Sequence, residues 1–107
     1  MKFVFLVQGG IPPQDEGEKY IQAFGSWIGE LRQKGIITGG LPPLARSGKV
    51  VSPTTVDSFQ FTQTSVSGCI EIEAASLDEA VESAKGCPNM QYGGKVEVRD
   101  LMDMSGI

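Results

Sequence analysis

Between Ser76 and Leu101 the chain carries a capped helix, SLDEAVESAKGCP, a glycine pair, and an alternating strand, GGKVEVRDL. Ser76 offers a side-chain oxygen to a free backbone N–H, and Glu79 three residues on reaches back, which together make a capping box. Leu77, Ala80, Val81 and Ala84 give the helix one apolar side, and Gly86 with Pro88 ends it. In the strand, Val96 and Val98 alternate with Lys95, Glu97 and Arg99, so apolar side chains turn to the helices and charged ones turn away. The strand reads as the closing strand of a small βαββαβ domain.

The rest of the sequence supplies the preceding elements. Lys2 to Gln8 is rich in Phe and Val with almost no polar break, which predicts a central strand covered on both faces. After the turn Gly9-Gly10-Ile11-Pro12-Pro13, Tyr20, Phe24, Trp27, Ile28 and Leu31 fall on one stripe of a helix that ends at Gly35. Ile36 to Gly40 reads as a short strand stopped by Leu41-Pro42-Pro43, because proline fixes φ and removes a ladder donor. Gly48 to Val51 can form another short extended piece. Ser52 to Ser65 is dominated by Ser, Thr and Gln with Phe59 and Phe61, and reads as a loop or hairpin insertion. Val66 to Glu73 alternates, with Ile70 and Ile72 on one face and Cys69, Glu71 and Glu73 on the other.

The main elements therefore run βαββαβ. With right-handed crossovers this predicts an α+β, ferredoxin-like antiparallel sheet with both helices on one face, a single domain over 1–107. The opposite face carries Val4, Leu6 and Gln8, then Glu71 and Glu73, then Glu97 and Arg99. It is too apolar for open water and too polar for a dry core. A two-fold interface needs only one self-complementary patch, so the expected assembly is a homodimer that closes a barrel-like cavity, a dimeric α/β barrel.

Composition narrows the function. A chain of 107 residues is sized for one domain and a modest two-layer core. Its net charge of -4 and nine scattered Lys and Arg residues argue against a nucleic-acid partner, which needs clustered cations to displace counterions from phosphates. The apolar run in MKFVFLVQGG ends in Gly-Gly after five residues, too short for a signal peptide or a membrane span. There is no histidine, no CxxC spacing and no phosphate loop, so neither a metal nor a cofactor is expected. Cys69 and Cys87 read as two reduced structural thiols, and the expected location is the cytoplasm.

Four stretches resemble the YCII-related family, and more closely its DGPF branch of dimeric α/β-barrel proteins. They are ELRQKGIITGGLPPL at 30–44, SGKVV at 47–51, IEIEAASLDEAVESAKGCP at 70–88 and GGKVEVRDL at 93–101, well over half the chain. The resemblance implies the same fold and dimer, and a small organic molecule bound in the cavity. The family's proposed His and Asp pair has no His here. The nearest text to the DGPF motif is Asp57-Ser58-Phe59, which puts Asp57 at the motif's Asp. By analogy with family relatives the activity reached is a dehydrohalogenation or a related elimination by metal-free acid/base chemistry; fold alone does not carry function. The competing reading is a non-catalytic dimeric binding or regulatory module that has lost the His-Asp site.

Asp57 is the candidate general acid or base, since a carboxylate at the mouth of an apolar cavity can have a raised pKa. The plainer reading is a turn aspartate bonding its own backbone. Glu71, Glu97 and Arg99 are the candidate ligand-binding residues, with Glu73 beside them, and Arg99 is the anion anchor because its fork binds carboxylates bidentately. The plainer reading is a solvated or salt-bridged sheet face. Glycine pairs at 9–10, 39–40 and 93–94 read as tight turns and close backbone approach. Tyr20, Phe24 and Trp27 read as core packing, and Phe59 and Phe61 as a lid over the cavity or a grip on a partner subunit. Cys69 projects with Glu71 and reads as a packed thiol, there being no His to activate it.

Overall fold

The computed structural model describes residues Met1 to Gly106. The first strand, β1 (Lys2–Gln8), sets the layers by alternation: Phe3, Phe5 and Val7 have no exposed surface, while Val4, Leu6 and Gln8 are half-buried on the other face. After Gly10 the chain makes a 3₁₀ turn at Gln14–Glu16 and enters α1 (Gly17–Gln33), then β2 (Ile37–Gly40). A short hairpin follows, β3 (Lys49–Val51) and β4 (Val56–Ser58). Then come β5 (Val66–Glu73), α2 (Leu77–Ala84), a second 3₁₀ turn at Pro88–Tyr92, and β6 (Lys95–Asp100).

The main sheet has the order β2-β5-β1-β6 and is antiparallel throughout. With two helices over one face this is the expected ferredoxin-like α+β arrangement. Central β1 is covered on one face only, because both helices pack against Phe3, Phe5, Val7, Ile70 and Ile72. The expected cover on its second face is not supplied by this chain, and that is why Val4 and Leu6 remain half-buried.

Trp27 organises the helix layer. Its indole stacks on Phe5 at 6.1 Å between ring centroids, meets Phe24 edge-on at 5.5 Å, and donates from Nε1 to the Ser83 carbonyl at 3.1 Å. That bond ties α1 to α2 while satisfying the one polar atom of a buried ring. Ala80 and Ala84 are small enough to bring α2 onto the sheet, whereas Leu77 and Val81 lie at the helix's exposed edge. Gly86 does more than end the helix: a Cβ there would stand 2.8 Å from Trp27 Cδ1, so the indole occupies the space a side chain would need.

The cap differs in one detail from the capping box. Ser76 Oγ accepts from the Glu79 N–H at 3.2 Å, but Glu79 reaches one residue further back and accepts from the Ala75 N–H. Either way two free donors are satisfied at the start of α2.

The stretch read as a loop or hairpin is partly a hairpin. Lys49, Val50 and Val51 pair with Ser58, Asp57 and Val56, closed by Ser52 and Thr55 hydroxyls bonded at 2.7 Å. All six strand residues are exposed. Gly9 and Gly10 adopt positive φ of 64° and 76°. A Cβ on Gly10 would lie 2.5 Å from Asn89 Cβ. Close approach explains this glycine pair, as expected.

Candidate functional site

Two irregularities in the sheet shape a concavity beside α1. A one-residue bulge on β2 between Ile37 and Gly39 leaves Thr38 without a partner opposite it, and a second on β5 does the same for Ser67 between Val66 and Gly68. Bulges bend a strand and re-aim the extra side chain. Both hydroxyl residues line one cleft of about 740 Å³ between α1 and the β2 edge, a volume within the range of small-molecule sites.

One wall is the helix stripe Phe24, Gly25, Ile28 and Arg32; the other is β2 with Leu41, Pro42 and Pro43, and the floor is Gly68, Cys69 and Ile70. The segment after β2 is held along β5 by the Leu41 N–H donating to the Cys69 carbonyl at 3.1 Å and the Leu44 N–H to the Ser67 carbonyl at 3.0 Å. Proline fits here because the outer side of this edge needs no ladder donor. Most of the lining is apolar carbon, with Arg32, Thr38, Ser67 and Cys69 as its polar groups. Ser67 Oγ donates to the Val7 carbonyl at 3.3 Å, and Thr38 Oγ1 lies 3.4 Å from Glu71 Oε1.

The candidate residues named from the sequence are divided among three places. Glu71 stands at the cleft's rim, joined to it through Thr38 and held from the other side by Lys2 Nζ at 3.5 Å. Arg99 lies opposite Val4 and Glu97 opposite Leu6, on the same open face as Glu71. With strands about 4.8 Å apart, β6 lies roughly 10 Å across the sheet from β5. Neither Arg99 nor Glu97 makes an ion pair among the described residues. Asp57 is in neither place: it is exposed on β4, paired in register with Val50, in a strand rather than a turn.

Phe59 and Phe61 pack edge-on at 6.5 Å, with the Arg46 guanidinium 4.9 Å over the Phe61 ring, and they do not line the cleft. Phe24 combines two roles, packing against the core and facing the cleft. The two thiols occupy different settings. Cys87 is buried at the end of α2, and loss of solvation pushes its pKa up to about 11, so it stays a neutral thiol. Burial, with Cys87 next in effect, likewise raises Tyr20 to about 12. Cys69 is half-buried in the cleft floor.

Arg32 and Thr38 escaped the sequence reading. Arg32 sits in the last turn of a helix, where a cation is ordinary because it faces the negative end of the dipole. Thr38 lies in a four-residue strand whose bulge leaves no sequence mark. Gly25 is no specific signal either, since Gly29 one turn on is equally open and does not border the cleft. Here a Cβ on Gly25 would meet no atom within 4 Å, and the residue borders the cleft.

Among the described residues no group of three His, Cys, Asp or Glu side chains is placed to hold a metal ion, and no helix is long and apolar enough to cross a membrane. No family model matches the chain, and no curated protein sequence matches it. Its fold is shared with a solved structure, 5-chloro-2-hydroxyhydroquinone dehydrochlorinase from Burkholderia phenoliruptrix in complex with 2,5-dihydroxybenzoquinone. The two chains superpose with a TM-score of 0.59 at 16% identity, over 99% of this chain and 98% of that one. The similarity establishes a common ferredoxin-like fold.

Proposed function

We propose that this chain is a one-domain, cytoplasmic protein of the YCII-related family, DGPF branch, that binds a small organic molecule in the cleft between α1 and β2. The observation that carries the reading is the cleft itself: mostly apolar walls, one arginine, Arg32, on the helix side, and two strand bulges at its edge. The shared fold supports it, since the dehydrochlorinase structure was solved with a small hydroxylated quinone. The chemistry proposed is an elimination in which a carboxylate takes a proton from carbon while the bond to a leaving halide breaks. Glu71, at the cleft's rim, is the carboxylate beside the site, and Asp57, Glu97 and Arg99 serve as further proton carriers and anion anchor only where a second copy brings them to it.

A homodimer is part of this reading. A folded monomer of this mass exposes roughly 5,800 Å², whereas this chain exposes 7245 Å². The excess, about 1,500 Å², is more than the roughly 800 Å² that each partner of a standard interface covers. The open sheet face, with Val4 and Leu6 at its centre and charges of both signs around them, is the surface assigned to the second copy. Cys69 lies opposite Leu6 and also floors the cleft, so that face adjoins the binding site.

The second reading, a binding module without catalysis, draws on two observations: the chain has no histidine, and Asp57 does not line the cleft. Calorimetric titration with 2,5-dihydroxybenzoquinone, in wild type and in Gly25→Phe, tests the cleft. Binding to wild type that is lost in a folded Gly25→Phe supports the reading; equal binding in both sinks it. Asp57→Asn and Arg99→Gln then separate the two readings. Catalysis requires turnover in wild type that falls in either variant, and a binding module gives none.

A further inference from the structure

Arg32 is the one charged side chain on the cleft's walls. Its guanidinium takes part in no ion pair or side-chain hydrogen bond among the described residues. The nearby carboxylate, Glu71, is engaged by Lys2 and Thr38 on the sheet's other face. The cleft thus presents an unspent fork of donors at one end and no acid to neutralise it.

The other end is apolar. Phe24 and Arg32 are eight positions apart on α1, which places them about 12 Å apart along the helix axis. Ile28 lies between them, and Leu41, Pro42 and Pro43 face them across the cleft. A single aromatic ring with one attached acid group spans roughly half of that length. The aliphatic stem of an arginine packs along such a wall while its head reaches the ligand.

We propose that the cleft selects a monoanionic, otherwise apolar ring compound, a carboxylate or phenolate, with Arg32 as the residue that binds the anionic group. This inference rests on the reading of the cleft as a ligand site and adds the charge of the ligand. It also moves the anion-binding role from Arg99, on the distant edge strand, to a residue inside the concavity.

The test uses two probes of one shape, benzoate and benzamide, titrated into the full chain at pH 7 and followed by amide chemical shifts. Expected in wild type is at least a tenfold preference for benzoate, with shifts at residues 37–40 and 67–70. In Arg32→Gln the preference disappears while benzamide binds as before, and in Arg32→Lys part of it returns, since a point charge replaces the fork. Equal affinities in wild type overturn the inference while leaving the cleft intact. A preference for benzoate that survives in Arg32→Gln overturns it as well. If neither probe shifts the cleft amides of wild type, the ligand-site reading falls and this inference falls with it.

Discussion

Replacing Asn89 tests whether one buried amide pins the end of β1 to the start of β6. Asn89 has no exposed surface, and its Nδ2 donates to the Gln8 carbonyl and to the Lys95 carbonyl, both at 3.0 Å. It thus clamps the end of β1 to the start of β6, where Gly10 and Gly94 leave room for it. Asn89→Ala leaves two buried carbonyls short of a donor, at about 1 to 1.5 kcal/mol each because a carbonyl keeps a second lone pair. Part is offset, since Asn89 Oδ1 is itself buried without a partner and its removal relieves about 1 kcal/mol. The net loss is about 1.5 kcal/mol, equivalent to a fall of about 7 °C in Tm for a domain of this length.

Urea titration followed by Trp27 fluorescence measures the change, read as a shift of the midpoint at constant slope. Asn89→Asp sharpens the test, because a carboxylate of the same shape faces two carbonyl oxygens with nothing to donate. The introduced acid is raised above its usual value of about 3.9 by burial and by those carbonyls, so its protonated form is the one the fold tolerates. Stability of this variant is therefore greatest below pH 4 and is lost as pH rises through the raised value. A loss under about 0.5 kcal/mol in Asn89→Ala refutes the clamp, because one ordinary hydrogen bond contributes that much.

Other perturbations follow from equally local geometry. Gly86→Ala pushes a methyl against the Trp27 ring and should cost about 1 to 3 kcal/mol, with a red-shifted emission as the indole leaves Ser83; an unchanged spectrum and midpoint would contradict it. Ser76→Ala should lose about 1 kcal/mol from the missing cap, measured by thermal melting. Cys87 is raised by burial from 9.0 to about 11, so native stability is full below pH 9 and declines as pH climbs from there towards 11. At pH 8 iodoacetamide should modify Cys69 before Cys87, and mass spectrometry showing equal rates would remove the buried-thiol assignment. Light scattering should give twice the 11.4 kDa chain mass; a monomer at micromolar concentration would end the dimer reading.

The order and type of the main elements were legible before the structure because they depend on short-range periodicity. Phe3, Phe5 and Val7 against Val4 and Leu6, or Val96 and Val98 against Glu97 and Arg99, are patterns that one strand reveals by itself. The same holds for Ser76 and Glu79, whose bonds close within four residues. Those local patterns, summed with crossover handedness, were enough to specify the ferredoxin-like sheet and the shared face of Glu71, Glu97 and Arg99.

The cleft was not legible, and the reason is that it is made by departures from periodicity. Thr38 and Ser67 matter because each is one residue too many in a ladder, a fact that exists only once the opposing strand is in place. Arg32 acquires its meaning from Pro42 and Pro43 across the gap, and Asn89 from Gln8, eighty-one positions away in the chain. Asp57 read as a cavity residue through its neighbours in sequence, yet pairing with Val50 carried it onto an exposed hairpin. Sequence alone determined the strands, helices and caps, where the controlling interactions are nearest neighbours; tertiary structure decided the site, where the controlling contacts join residues of different elements.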